Sequence, residues 1–381
     1  MKANAKPKTD AIRRAVVKVG SNVLTAEAGL NINAIQSISS QICRLLDQGI
    51  QIILVSSGAM ASGMKKMAFS RRPDAIPKRQ AISAIGQADL IREWEKAFER
   101  FGYKVAQILL TSEDLASRKR YLNARNTMNT LLEWRVVPII NENDTVMVEE
   151  IKLGDNDNLA AMIALLLDVD IFFNLTDIDG LYDKDPRVHV DARLIPRVAT
   201  YSRDIEKFAG DIPGALGTGG MLSKIKAARK VTASGIPMVI ARGYRSDILI
   251  RLAAGEPQGT FFVPRERKLN RKKCWIGYTV NPQGCLRVDA GAARALLRNG
   301  KSLLPSGIVD VEGQFPVGAA VSVVDDQGQP IGNGLVNYNA RDIRAIMGIK
   351  SSQIKNRLGQ KTYDEVIHRD NLVITGEKVQ C

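Results

Sequence analysis

Short β-branched runs alternate with amphipathic helical patterns through residues 15–263, and this alternation constrains the fold more than any other feature. Strand patterns occur at 15–19, 52–55, 105–109, 136–140, 171–175 and 238–241. Helical patterns occur at 35–46, 90–101, 124–134, 158–167 and 222–233. Strand–helix–strand repetition predicts an α/β fold, a three-layer α/β/α sandwich with a mostly parallel central sheet. Because ligands of such sheets bind beyond the carboxyl ends of the strands, residues there are the first candidates for a site.

A second pattern begins after a basic segment. Residues 264–274 contain six Lys or Arg and one acidic residue, which is typical of a linker. Short strands separated by glycine turns follow, with one helical pattern at 290–298; the strands are predicted at 275–280, 285–288, 307–311, 320–324 and 331–336. This pattern predicts a small C-terminal β-barrel-like domain. The predicted divisions are a first domain at 12–263, a linker at 264–274, a second domain at 275–361 and a tail at 362–381.

The composition of the chain favours a globular protein that neither spans a membrane nor is secreted. The chain has 381 residues, 45% apolar and 25% charged, as expected for a soluble globular protein with two or three domains. Its longest apolar run, 160–167, is too short to cross a bilayer, and residues 1–14 lack the apolar core of a signal peptide. Four cysteines without a CxxC pair indicate reduced thiols. We therefore expect a cytoplasmic protein without a membrane partner.

The net charge of +14 lies mostly outside the first domain. Residues 15–263 are nearly balanced, whereas the N-terminal segment, the linker and the second domain carry the excess. A basic excess can bind a polyanion such as RNA, or it can simply keep the protein in solution. Both interpretations stay open at this point.

A glycine-rich segment, Gly217-Thr218-Gly219-Gly220-Met221-Leu222-Ser223-Lys224, opens the helical pattern at 222–233. Glycines let backbone N–H groups turn inward, and a helix start adds unpaired donors and the positive end of a dipole. Such a corner binds phosphates. The hydroxyls of Thr218 and Ser223 and the charge of Lys224 would complete a cradle for a triphosphate. The alternative is a glycine loop followed by an ordinary surface lysine.

Lys18 lies inside the predicted strand 15–19, just before Gly20 and Ser21. An ammonium group buried without a partner is costly, and a phosphate oxygen is a natural partner for it. A lysine on an edge strand, facing water, is the alternative. The glycine that follows favours a functional lysine at the end of this strand.

Polar residues also follow other predicted strands. Ser57 lies in Ser56-Ser57-Gly58, and Asp144 closes the run Asn141-Glu142-Asn143-Asp144. Asn156 and Asp157 precede the helix pattern at 158–167, and one of these short polar residues can simply cap that helix. Thr176 and Asp177 follow the strand 171–175, at the place expected for a nucleotide. The sequon at 174–176 is set aside because it lies in a buried strand of a cytoplasmic protein.

Taken in chain order, these motifs resemble the amino acid kinase superfamily. They are Val17-Lys18-Val19-Gly20-Ser21, Ser56-Ser57-Gly58-Ala59-Met60, Asn141-Glu142-Asn143-Asp144, Gly154-Asp155-Asn156-Asp157-Asn158, Leu175-Thr176-Asp177 and the loop 217–224. The second domain resembles a PUA domain through residues 302–308 and 338–346. The resemblance covers nearly the whole chain and implies an amino acid kinase-like sandwich followed by a PUA domain.

The resemblance implies ATP-dependent phosphorylation of the side-chain carboxylate of L-glutamate, which gives L-glutamyl 5-phosphate, the first intermediate of proline synthesis. Carried over by position, Lys18 and Lys224 contact the transferring phosphoryl group, and Asp157 organises both lysines. The residues implied to bind the amino acid are Ser57, Asp144 and Asn156. The residues implied to bind ATP, whose phosphates Mg²⁺ bridges, are Lys18, Thr176, Asp177, Thr218, Gly219, Gly220, Met221, Leu222, Ser223 and Lys224. Ser223 stands where the superfamily pattern has threonine, and the hydroxyl is kept.

Two other interpretations are carried forward. The chain could be another member of the superfamily that phosphorylates a different carboxylate or a nucleotide. It could also be an RNA-binding protein through the PUA-like domain, although that domain lacks a run of aromatic residues suited to stacking bases. The resemblance further implies a homo-oligomer and a glutamyl phosphate reductase partner for the labile product.

Overall fold

The computed structural model describes residues 12–26, 29–146, 156–201, 220–265 and 271–375, together with residues 205 and 208. These residues form two compact units. The first is built from 12–114 and 119–265, and the second from 115–118 and 271–375. Within the described part of the chain, no helix combines the length and apolar character that a membrane span requires.

The first unit contains an eight-stranded sheet and a two-stranded ribbon. The strands are β1 (Arg14–Val19), β2 (Thr25–Ala26), β3 (Gly29–Leu30), β4 (Gln51–Ser56), β5 (Val105–Leu110), β6 (Val137–Glu142), β7 (Ile171–Thr176), β8 (Arg197–Val198), β9 (Met238–Arg242) and β10 (Thr260–Phe262). The large sheet has the order β5-β6-β4-β1-β7-β9-β10-β8. All its pairs are parallel except β9 with β10. The predicted mostly parallel sheet is therefore confirmed.

Helices connect these strands. They are α1 (Ser21–Leu24), α2 (Ile32–Asp47), α3 (Ala59–Lys66), α4 (Ile76–Glu99), α5 (Ser112–Ala116), α6 (Arg118–Glu133), α7 (Asn156–Leu167), α8 (Met221–Ala233) and α9 (Ile248–Ala253). Nearly every residue of α7 is buried, which is why its sequence is apolar all round instead of amphipathic. Helix α2, in contrast, buries one stripe that includes Ile35, Ile38 and Ile42. Together the helices and the sheet enclose the apolar core of the unit.

The register of the central strands brings their carboxyl ends to one edge. Lys18 in β1 lies between Val55 of β4 and Asn174 of β7. These strands end at Val19, Ser56 and Thr176, so the polar residues that follow each of them emerge side by side. The candidate site residues therefore meet at the edge where parallel sheets bind ligands.

Helices α3 and α4 cross closely because glycines occupy the contact. A Cβ atom added at Gly86 would lie 2.0 Å from the carbonyl oxygen of Ala59 and 2.3 Å from the amide nitrogen of Gly63. One added at Gly63 would lie 1.9 Å from the carbonyl oxygen of Ile82. All three neighbours are backbone atoms, so the helices themselves would have to separate. The crossing fixes α3, which begins just after Ser57, against α4.

Gly86→Ala is expected to lower the free energy of unfolding by about 1–3 kcal/mol, the usual cost of overpacking a tight contact. Chemical unfolding followed by circular dichroism measures this change. Ala81→Ser, at an exposed position of the same helix, serves as the control and should stay within about 0.5 kcal/mol. Equal stability of Gly86→Ala and the wild type would show that the helices are not in tight contact.

The second unit is built on a five-stranded sheet. Its strands are β11 (Gly284–Val288), β12 (Ile308–Gly313), β13 (Ala320–Val324), β14 (Pro330–Leu335) and β15 (Leu372–Ile374), in the order β12-β11-β13-β14-β15. Its helices are α10 (Arg271–Tyr278), α11 (Ala290–Asn299), α12 (Ala340–Ile346) and α13 (Ile354–Leu358). Apolar residues of the strands and of α11 and α12 form a separate core. The strand-rich character predicted for this unit is therefore confirmed.

Two local predictions for this unit were wrong. Residues 275–280 were predicted as a strand, but Arg271–Tyr278 form helix α10. The run is rich in residues that favour strands, and tertiary packing overrides that preference: Gly277 lets the helix approach Val373 so closely that an added Cβ would lie 2.8 Å from its side chain. The predicted tail also contributes structure, because Leu372–Ile374 pair with β14. Of the predicted linker, residues 271–274 belong to α10 and 266–270 lie outside the described residues.

Candidate active site

Two lysines from different elements converge on one carboxylate. Lys18 of β1 places its Nζ 2.6 Å from Oδ1 of Asp157, and Lys224 of α8 places its Nζ 3.0 Å from Oδ2. Lys18, Lys224 and Asp157 are 4%, 6% and 2% exposed. Counted over these three side chains, two positive charges face one negative charge. The cluster thus presents two ammonium groups at the strand ends, and a phosphate oxygen is a natural partner for an ammonium group.

Two neutral donors complete the surroundings of Asp157. Asn174 Nδ2 donates to Oδ1 at 2.9 Å, and Ser223 Oγ donates to Oδ2 at 2.6 Å. Burial alone would raise the pKa of Asp157, but Lys18 and Lys224 outweigh it and hold that pKa well below its ordinary value. The carboxylate is therefore ionised at neutral pH and holds both ammonium groups at the same edge of the sheet.

The glycine-rich segment is described only from Gly220 onward. Gly220 is the N-cap of α8, Met221 is buried at its first position, and Leu222 is half-buried. Ser223 and Lys224 follow within the first turn, which explains how both reach Asp157. Thr218 and Gly219, predicted to bind ATP, lie outside the described residues.

Ser57 and Asn156 are brought together next to the lysine cluster. Asn156 Nδ2 donates to Ser57 Oγ and to Asn141 Oδ1, both at 3.0 Å. Both Ser57 and Asn156 are buried. Because Asn156 and Asp157 are adjacent at the start of α7, the amide cluster and the lysine cluster are neighbouring parts of one site.

Asp144 lies in a short 3-10 turn after β6, beside a cavity of about 260 Å³. The cavity is lined by residues of α4 and of the β6 end that include Ser83, Gln87, Asn143 and Asp144. Burial raises the pKa of Asp144, while Ser83 and Arg72 act in the opposite direction. Asp144 thus lines the same cavity as Gln87, and Gln87 accepts a hydrogen bond from Asn141 at 2.7 Å.

Thr176 and Asp177 end β7 on the other side of β1. Thr176 Oγ1 donates to Asp177 Oδ1 at 3.0 Å, and Asn22 Nδ2 donates to Asp177 Oδ2 at 2.8 Å. Partial burial raises the pKa of Asp177, but the hydrogen bonds from Asn22 and Thr176 bring it below its ordinary value. An ionised Asp177 offers acceptor atoms at the strand end where the sequence predicted nucleotide contacts.

Two asparagines at this edge, Asn22 and Asn174, were not predicted as site residues, and Asn141 was noted only within the run 141–144. Asn174 is fully buried and contacts Asp157, although it was noted only as part of a sequon. Asn22 contacts Asp177, and Asn141 contacts Asn156. For Asn174 the missed signal was a polar residue inside an otherwise apolar strand, which requires a hydrogen-bonding partner.

Comparison with known proteins assigns this sandwich, with two lysines facing one carboxylate at its strand ends, to the kinase class of enzymes. The family model described as "Amino acid kinase family" matches residues 13–242, and the model described as "PUA domain" matches residues 284–358. The chain therefore belongs to the amino acid kinase family and carries a C-terminal PUA domain.

Its relatives share close to half of its sequence. Glutamate 5-kinase of Caldanaerobacter subterraneus is 51% identical over 368 residues, which are 96% of this chain and 99% of that protein. Glutamate 5-kinase of Syntrophus aciditrophicus is 50% identical over 363 residues, 95% of this chain and 94% of that protein. The similarity of both relatives therefore extends through both units. Among solved structures, UMP kinase of Bacillus anthracis has a TM-score of 0.46 and is 14% identical. The match covers 66% of this chain and 96% of the UMP kinase chain.

Proposed function

We propose that this protein phosphorylates the side-chain carboxylate of L-glutamate with ATP, the first step of proline biosynthesis. The observation that carries the proposal is the shared carboxylate of Asp157, held between Lys18 Nζ and Lys224 Nζ at 2.6 and 3.0 Å. Relatives named glutamate 5-kinase, about half identical over nearly the whole chain, support L-glutamate as the substrate.

The proposed reaction needs little acid or base chemistry. An ionised carboxylate is already a nucleophile, so one of its oxygens attacks the γ-phosphorus of ATP as the bond to the β-phosphate oxygen breaks and ADP leaves. The barrier comes from bringing two anions together in line. Fixed positive charges that contact the transferring group lower that barrier.

Lys18 and Lys224 are the proposed sources of that charge. They come from two different elements, β1 and α8, and Asp157 contacts both ammonium groups. Because the carboxylate is buried and ionised, it holds the lysines in place before the nucleotide arrives. The site is therefore preorganised, and little rearrangement is needed when the phosphoryl group transfers.

The remaining proposed roles follow from position. Asp144, which lines the cavity near α4, and the hydrogen-bonded pair Ser57 and Asn156 bind the amino acid. Thr176, Asp177 and the start of α8 bind the nucleotide, with Thr218 and Gly219 assigned from the sequence alone. In the described residues, no group of three or more His, Cys, Asp or Glu could hold a metal. Mg²⁺ is proposed to enter with ATP, bound to its phosphates, whose charge it would neutralise.

ADP release coupled to a dehydrogenase assay tests the proposal. With ATP and Mg²⁺ present, L-glutamate is expected to cause ADP release. Release with L-aspartate, N-acetyl-L-glutamate or UMP is expected to be at least about tenfold slower, because buried polar groups discriminate strongly between substrates. Release that depends on one of the other three compounds would assign the chain to a different substrate. A cytoplasmic location, a homo-oligomer, a reductase partner and RNA binding by the second unit stay predictions.

A further inference from the structure

A chain of hydrogen-bonded side chains ends in two residues of the proposed amino-acid site, Asn156 and Ser57. It runs from Gln87 on α4 through Asn141 at the end of β6 to Asn156 at the start of α7 and Ser57 after β4. Four separate elements therefore meet in one network. Gln87 is half-buried and lines the cavity beside Asp144.

The orientation of each side-chain amide in this hydrogen-bonded chain follows from one donor, the backbone N–H of Glu142. The backbone N–H of Glu142 donates to Asn141 Oδ1 at 2.9 Å. A backbone N–H can only donate, so this atom of Asn141 must be the oxygen. The nitrogen of the same amide then faces Gln87 Oε1, at 2.7 Å. Gln87 thus supplies the acceptor that matches the orientation set by Glu142.

The same logic extends to Asn156. Because Asn141 Oδ1 is an acceptor, the Asn156 atom 3.0 Å from it must be the amide nitrogen. The second hydrogen of that nitrogen is donated to Ser57 Oγ. Both donors of Asn156 are then used, and its Oδ1 is buried with no hydrogen-bond partner among the described residues. A buried acceptor without a partner is costly, so this oxygen points to a ligand that donates.

We propose that Gln87 is a positioning residue that, through Asn141, holds the Asn156 amide with its oxygen directed at the substrate α-ammonium group. This inference rests on the proposed function. Ser57 Oγ accepts from Asn156, so its own proton is left for a carboxylate oxygen of the substrate. An acceptor and a donor held side by side suit an α-amino acid. A dicarboxylate without the ammonium group leaves Asn156 Oδ1 unpaired.

The test replaces Gln87 and compares L-glutamate with glutarate, which has both carboxylates and no ammonium group. Gln87→Met keeps the length of the side chain and removes the acceptor. It is expected to raise KM for L-glutamate about tenfold, as for the loss of one well-oriented hydrogen bond, with kcat and KM for ATP changed less than about twofold. The preference for L-glutamate over glutarate should fall by a similar factor.

Gln87→Glu restores an acceptor at the same place and is expected to recover most of the loss, which a purely structural role would not predict. Gln87→Ala is the second removal variant, in case Gln87→Met does not fold. Gln48→Met, at an exposed position of the first unit, is the control and should behave as the wild type.

The outcomes separate the two proposals. In the first outcome, Gln87→Met and Gln87→Ala both keep the wild-type KM for L-glutamate and the wild-type preference for L-glutamate over glutarate. That result overturns the role of Gln87 and leaves the proposed function intact. Absence of glutamate-dependent ADP release in the wild type overturns the proposed function, and the inference falls with it.

Discussion

Replacing Lys224 with alanine is expected to lower kcat for glutamate-dependent ADP release by about a hundredfold to a thousandfold, the usual cost of removing one preorganised charge or donor. The reason is geometric. Lys224 Nζ is held 3.0 Å from Asp157 at the edge where the phosphoryl group would transfer, and it is 6% exposed. Water cannot replace such a buried charge in the same position. Steady-state kinetics at saturating ATP and L-glutamate measure the change.

The fold of Lys224→Ala is expected to survive, because Asp157 keeps Lys18, Asn174 and Ser223 as partners. Lys226→Ala, at an exposed position two residues further along the same helix, is the matched control. It removes an equal charge and should leave kcat within about twofold, since exposed charges contribute little. Near-normal turnover of Lys224→Ala would remove this lysine from the mechanism.

Asp157→Asn is expected to destabilise the protein by about 3–5 kcal/mol, the cost of removing one partner from a buried ion pair. The substitution leaves two buried ammonium groups without their shared carboxylate. Urea unfolding of the wild type and the variant at neutral pH measures the difference. Asp89→Asn, which breaks the surface pairs with Lys66 and Arg92, is the control and should cost at most about 1 kcal/mol.

The pH dependence of this difference gives a second readout. The pKa of Asp157 in the folded protein lies below its ordinary value, so its carboxylate stabilises the fold fully above that ordinary value, about pH 4. The stabilisation is lost as the pH falls from there toward the folded pKa. Asparagine does not titrate, so the difference in free energy of unfolding between the wild type and Asp157→Asn should become smaller below about pH 4. A difference independent of pH would mean that the carboxylate is not held in its charged form.

The lysine cluster was predictable from sequence because its members break local rules. Lys18 interrupts an apolar strand, and Lys224 follows a run of glycines at a helix start. Packing of an apolar core does not explain a lysine at either position, so each lysine suggests a functional role. Their meeting on Asp157 depends on strand order, which the motifs implied only through their resemblance to a family.

The place of Gln87 in the amide network was not predictable in the same way. Gln87 sits on α4, a helix whose sequence gives no sign that one residue faces the end of β6. Likewise, residues 275–280 favour a strand by composition, and only their packing against Val373 explains the helix. Contacts between elements distant in the chain decide both cases, and local propensity carries no information about them.

Lys18 and Lys224 are proposed to act together on one phosphoryl group. The most direct measurement is the rate of phosphoryl transfer in a single turnover, with enzyme in excess over ATP, for the wild type, each alanine variant and the double variant. Each single variant is expected to lose about a hundredfold or more in this rate, and the double variant is expected to lose less than the product of the two single losses, because the two groups act as a unit. A transfer rate that stays near wild type when either lysine is removed would contradict this proposal.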